Sequence, residues 1–137
     1  MASRFYRIGA GATDSPGEIV TLLANVLASG NYMTFLTGSP GSSYLVPASQ
    51  TLRITRIRAY TNTASQGMAI GYGDTAVAQG ASSPTNFVRI SDYLGVTAAY
   101  TPYFYDGFWA VPTGKYPCLL SEQGLSYVEI SGFVYAA

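Results

Sequence analysis

The feature that most narrows the possible folds is the stretch from Val46 to Thr61, VPASQTLRITRIRAYT. It opens on a Pro turn, alternates β-branched residues with Arg and Thr, and ends at an Asn-containing turn, the pattern of a long half-exposed strand. Leu52 and Ile54 share one face of such a strand, whereas Ile57 and Ala59 fall on the other if the pleat is unbroken. A phase change near Thr55 and Arg56 brings all four to one side, so a β-bulge is predicted there, of the kind that bends a strand at a sandwich corner. Arg53, Arg56 and Arg58, three of the seven basic residues, form a ridge along the strand. It reads either as a solvated face that discourages edge pairing or as a contact ridge for an acidic neighbour.

Extended segments and breakers alternate along the rest of the chain. Tyr32 to Thr37, Met68 to Tyr72, Thr85 to Ile90 and Ser126 to Tyr135 read as strands. Between them lie GSPGSS, the turn at Asn62 to Gly67, a small-residue loop at Asp74 to Pro84 that a partner would order, and a connection at Asp92 to Ala99. Gly71 and Gly73 mark bends or close backbone approach. Gly132 marks a bulge in the last strand, where Val128, Ile130 and either Phe133 or Val134 point inward. Asp106 and Gly107 read as a hairpin turn between aromatic flanks, and Val111-Pro112 echoes the Val46-Pro47 turn.

Residues 15–28 support two readings. As a helix, Ser15 is the N-cap, Pro16 sits at N1, Glu18 completes a capping box, and Ile19, Leu22, Leu23, Val26 and Leu27 make an apolar stripe closed by Gly30. As a turn, the same start feeds a strand through Ile19, Val20, Thr21 and Leu22. Local chemistry leans to the helix, and the surroundings are all strand. With strands recurring about every eight to twelve residues, the expectation is an all-β chain. It is one jelly-roll-like β-sandwich of about eight strands at 15–137, after an N-terminal arm at 1–14 and with one short helix if the first reading holds.

Composition bears on role. Charged residues are 10% of the 137, against a typical quarter or so, and there are 12 Tyr. Such a chain covers its exterior with Tyr and small polar side chains, the composition of protein interfaces, so a subunit of an assembly is predicted. A monomer with its tyrosines in the core is the alternative. The formal net charge of zero offers no footprint for nucleic acid. The start MASRFYRIGAG lacks the apolar core of a secretory signal, and Ile19 to Ala28 stops short of a membrane span. The single Cys118 cannot form an internal disulfide, which fits a reducing cytosol, and reads as a small buried hydrophobe.

Catalytic signals are missing from the sequence. There is no His, which removes Ser-His and Cys-His nucleophiles and ordinary zinc sites, and no cofactor or metal is expected. A glycosidase needs two carboxyls across one cleft; Asp106 and Glu122 are a pair that spacing alone leaves open. IGYGD has the wrong spacing for a phosphate loop, with no helix following. Carbohydrate binding is the binding-module alternative: Tyr100, Tyr103, Phe104, Tyr105, Phe108 and Trp109 supply faces for an aromatic interface or for sugar stacking, and Asp92 or Asp106 supplies an acceptor. About half of such a run points into the core, and three exposed rings suffice for a platform.

The two Val-Pro turns, the RITRIRAY strand and the terminal SYVEISGFVY strand together resemble the small jelly-roll head-decoration, or cement, proteins of tailed bacteriophages. The likeness runs from about Tyr44 to Tyr135 and is one of pattern, shared with other virion β-sandwiches such as tail and fibre domains. It implies a non-enzymatic subunit, often a homotrimer, that is made in the host cytoplasm, sits on the capsid exterior and bridges major capsid proteins. The capsid contacts expected under it are Arg4, Phe5, Tyr6 and Arg7 in the arm and Arg53, Arg56 and Arg58 on the ridge.

Overall fold

The computed structural model describes residues 19–26, 31–37, 41–62, 65–122 and 125–136. The arm residues Arg4, Phe5, Tyr6 and Arg7 lie outside them, as do the Ser15-Pro16-Glu18 cap and Gly30. Among the described residues nine strands follow one another: β1 (Ile19–Val26), β2 (Asn31–Thr34), β3 (Gln50–Thr61), β4 (Ser65–Gly73), β5 (Val88–Arg89), β6 (Leu94–Val96), β7 (Tyr103–Val111), β8 (Tyr116–Ser121) and β9 (Ser126–Ala136).

They form two antiparallel sheets, one ordered β1-β9-β3-β7 and the other β2-β8-β4-β5, with β6 also paired to β4. Successive strands mostly cross from one sheet to the other, so that chain neighbours face each other across the core. This interleaving is the jelly-roll form of the sandwich. Between the sheets lies one aliphatic cluster, built from Leu22, Val26, Leu52, Ile54, Ile57, Met68, Ile70, Leu119 and Ile130 with Phe35 as its large ring.

The first element is a strand, and the helical reading of 15–28 fails over the described residues. Burial along Ile19–Val26 alternates, with Val20, Leu22, Ala24 and Val26 inward. Each β1 residue pairs with β9, from Ile19 opposite Phe133 to Val26 opposite Ser126. An apolar run of this length carries both periodicities, and the neighbouring β9 supplies ladder bonds that an isolated helix could not match.

The bulge in β3 falls where the side-chain phase changes. Between the inward Ile54 and Ile57, Thr55 and Arg56 stand against Ser131 alone in β9 and against Asp106, Gly107 and Phe108 in β7. The fan of one, two and three residues across neighbouring strands bends the sheet and keeps Leu52, Ile54, Ile57 and Ala59 all buried. Gly132, opposite Ile54, lies on the partner side of this irregularity; the inward residue beyond it is Val134, and Phe133 faces out.

Four other expectations are corrected. Asp106 and Gly107 do not turn: β7 runs unbroken from Tyr103 to Val111 along β3. Gly107 leaves room for the Trp109 ring, whose nearest atom would stand 3.0 Å from a Cβ at residue 107. The connection at 92–99 contains β6, and the strand expected at Thr85 to Ile90 shrinks to the two residues of β5. The loop at 74–84 needs no partner to place it. Tyr32 and Gly80 exchange backbone hydrogen bonds, Thr34 N–H donates to Val77 O at 2.8 Å, and Val77 N–H donates to Thr34 Oγ1 at 2.6 Å.

The two Val-Pro turns meet. Val46 N–H donates to Lys115 O and Gly114 N–H to Val46 O, both at 3.0 Å, and the Thr113 hydroxyl donates to Pro47 O at 2.8 Å. Their likeness in sequence thus reflects one paired corner of the sandwich.

Candidate functional site

Every described tyrosine reaches the surface. Eleven of the twelve fall among the described residues, and none is buried; Tyr93 and Tyr100 are exposed and the other nine half-buried. Aliphatic residues fill the core because alternate positions of each long strand supply enough of them. The described rings stay partly open on the outer faces and the rims, and four of them, Tyr44, Tyr72, Tyr103 and Tyr105, also pack against the core cluster.

The outer face of the β1-β9-β3-β7 sheet gathers them with the arginine ridge. From β3 it presents Arg53, Arg56, Arg58 and Tyr60, from β7 Phe104, Asp106 and Phe108, and from β9 Tyr127, Glu129, Phe133 and Tyr135. They fall into cross-strand rows. At one end Tyr60 stands edge-on to Tyr100 at 6.2 Å and to Tyr127 at 6.3 Å between ring centroids. In the middle, Arg58 pairs in register with Phe104 and Glu129. At the other end the Arg53 guanidinium lies 5.2 Å from both the Phe108 and Tyr135 ring centroids and donates to the Tyr135 hydroxyl at 3.3 Å. Tyr135 packs on Phe133. Stacked arginines of this kind are fixed in direction and lightly hydrated, ready for a planar anion or another ring.

Arg56 is engaged differently. Its Nε donates to Asp106 Oδ1 at 2.7 Å and a terminal nitrogen to Oδ2 at 3.4 Å, while the guanidinium lies 5.5 Å from the Phe104 ring. Its hydrogen bond holds the Asp106 carboxyl below the usual carboxylate range, and Asp106 raises the Arg56 pKa. Both side chains are more than half exposed, so water screens the pair and it contributes direction more than stability.

The aromatic run divides by pleat. Tyr103, Tyr105 and Trp109 turn inward against the core, which withdraws them from the expected aromatic platform. Tyr103 shares a 2.6 Å hydrogen bond with Thr97, and the Tyr105 hydroxyl donates to Gly95 O. Tyr100, Phe104 and Phe108 remain outside, 66%, 54% and 75% exposed. Tyr100 also holds a left-handed backbone, φ 58°, with its N–H donating to Thr61 O at 2.8 Å. A ring residue in that region is unusual and costs energy.

The remaining candidates have structural positions. Asp106 sits on the outer face of one sheet, whereas Glu122 follows β8 in the other and accepts from the Tyr93 hydroxyl at 3.2 Å. They share no cleft. Gly71 and Gly73 make room for close approach of Val88 O and Pro84. Asp74 is bonded by Lys115 and by Asn86 at 2.7 Å, which pulls its carboxyl pKa down. Cys118 is fully buried, and burial pushes its thiol up to about 12, far from the thiolate that nucleophilic chemistry uses. Among the described residues no three His, Cys, Asp or Glu side chains cluster as metal ligands. A groove of 180 Å³ beside β1, lined by Ile19, Val20, Thr21, Leu22, Thr37 and Tyr44, is smaller than the usual small-molecule site of about 300–1,000 Å³.

The arginine ridge and the exposure of about half of the aromatic run were legible in the sequence; the stacking of Arg53 and Arg56 on neighbouring rings was not. Sequence reasoning passed over four further residues of this face: Tyr127, Phe133 and Tyr135 join it because β9 lies between β1 and β3, and Tyr60 belongs to β3 itself. No protein-family model, curated protein or solved structure matches the chain.

Proposed function

We propose that the protein is a structural virion subunit, a capsid decoration or cement protein that binds the assembled head lattice and bridges major capsid proteins. The observation that carries this reading is the outer sheet face. A ridge of Arg53, Arg56 and Arg58 is set among exposed and half-exposed rings. It joins charge for an acidic neighbour to aromatic area of the kind protein interfaces bury. The jelly-roll order adds support by analogy of fold, since capsid proteins use it among other families. A clamp that binds the finished lattice stabilises it by mass action and needs no catalytic group.

Mixing the purified protein with emptied heads of the phage that encodes it, then sedimenting, tests the proposal. Co-sedimentation with the heads, reduced by a Phe108→Ser, Arg53→Ser double variant, is the expected result. Protein that stays in the supernatant at all ratios refutes it.

One observation favours a second reading. Tyr100, Phe104 and Phe108 are three exposed rings on one side of the sandwich, enough for a sugar-stacking platform in a tail, fibre or cell-surface module. Retention on a glycan column, without binding to heads, distinguishes it.

A further inference from the structure

We infer that β7 joins a second copy of this chain strand to strand, about a two-fold axis near Gly107, merging two four-stranded sheets into one of eight. A sheet edge displays unpaired N–H and C=O groups, and proteins cover it, shorten it or guard it with Lys, Pro or inward charge. Three edges of this sandwich follow that rule. The free side of β2 is closed by the loop at Val77 and Gly80, β5 is only two residues long, and β1 is bridged at Leu23 by Leu36.

The edge at β7 does not follow it. Among the described residues its nine residues ladder with β3 alone. The stretch YFYDGFWAV contains no Lys and no Pro, and its one charge, Asp106, points outward and is tied to Arg56 on the neighbouring strand. The inward rings of Tyr103, Tyr105 and Trp109 remain half-buried at this margin.

A second β7 fits this edge in chemistry and in charge. Antiparallel pairing about Gly107 sets Tyr105 opposite Trp109 and Tyr103 opposite Val111 on the core side, and Phe104 opposite Ala110 on the outer side. Directly opposed aromatic and apolar pairs of this kind stabilise a ladder. It also sets Asp106 of one copy opposite Phe108 of the other, the ring on which Arg53 lies; among the described residues of its own chain Arg53 forms no ion pair. Each Arg53 thereby gains a carboxylate, twice by symmetry. A ring of three copies requires a head-to-tail contact between two different edges, and the β1 edge is interrupted at Leu23. The two-fold arrangement is therefore the one this edge builds.

Light scattering of the full chain across a concentration series tests the inference. The expected mass is twice the 14.5 kDa of the chain; a single chain mass throughout, or three times it, overturns the proposal. Phe104→Lys with Ala110→Lys sets like charges opposite each other at both ends of the ladder, and the dissociation constant is expected to rise at least about tenfold. Phe104→Glu with Ala110→Lys, at the same positions, sets opposite charges together and should keep the dimer. Circular dichroism confirms that each variant is folded. A double-lysine variant that stays as dimeric as the parent, or a charge-swapped one that dissociates like it, overturns the proposal equally.

Discussion

Gly132 in β9 lies against the Arg53 carbonyl of β3 so closely that a Cβ at residue 132 would stand 1.9 Å from that oxygen and 2.9 Å from Ile54 Cα. The contact is backbone on backbone, so no side-chain rotation relieves it. Gly132→Ala is expected to cost about 3 kcal/mol, because strand separation has to give way at the bulge. Gly80→Ala, whose nearest neighbour would be Val77 Cγ1 at 4.0 Å, is expected to fall within about 0.5 kcal/mol of the parent. Urea unfolding of both variants checks the contrast, which disappears if the sheet is not bulged here.

In β1 the strand and helix periodicities assign different residues to the core. Leu22 is 1% exposed and Ile19 82%. Leu22→Ala should therefore destabilise by about 2–5 kcal/mol, and Ile19→Ala by no more than about 0.5 kcal/mol. Equal losses at the two positions in thermal melts would restore the helical stripe.

Two carboxylates are held below their ordinary range and so contribute to the acid limb of stability. Asp106, through its hydrogen bond with Arg56, and Asp74, through Lys115 and then Asn86, both titrate below the ordinary value of 3.8 in the folded chain. A folded-state pKa below the unfolded one contributes stability above the unfolded value and loses it as pH falls through the folded value. Unfolding free energy should thus hold from neutral pH to about 4 and fall below it. Asp106→Asn is expected to flatten the fall, with a smaller difference in high salt because the pair is exposed. An unchanged acid slope in both Asp106→Asn and Asp74→Asn contradicts the assignment.

Cys118 is predicted to be inert in the folded chain. With its thiol pushed up to about 12 and no surface exposed, it should not react with a thiol-specific chromophore at pH 8 over hours and should react within minutes once urea is added. Cys118→Ser places a hydroxyl among apolar neighbours and is expected to cost about 1–3 kcal/mol. Rapid labelling of the native protein would show β8 to be opening locally.

Tyr100 separates contact from stability. Its left-handed φ of 58° favours glycine, so Tyr100→Gly relieves backbone strain while removing a 66%-exposed ring that touches Tyr60. Stability is expected to change by less than about 1 kcal/mol, while head or glycan binding, whichever the protein shows, weakens. Unfolding curves alongside the binding measurement distinguish the two effects.

Much of the architecture was legible along the chain, and where it was not, a longer-range partner outweighed a local signal. Leu52, Ile54, Ile57 and Ala59 reveal the bulge because only a phase change buries all four. Asp106-Gly107 misleads because turn propensity is a local quantity, and a continuous ladder with β3 plus the space Gly107 gives Trp109 outweighs it. The loop at 74–84 reads as one that a separate partner orders for a similar reason: its hydrogen bonds run to Tyr32 and Thr34, distant in sequence and adjacent only after folding.

The amino-acid order alone determined a strand-dominated chain, its long central and last strands, the bend at Thr55, and an unusual wealth of tyrosine beside few charges. These follow from period-two alternation and composition, which are local. The tertiary structure decided which rings face outward, that Arg53 stacks between Phe108 and Tyr135, and which sheet edge has no further strand among the described residues. Those depend on strand order, and strand order is set by how two sheets close over one core, a property of contacts between residues far apart in the chain.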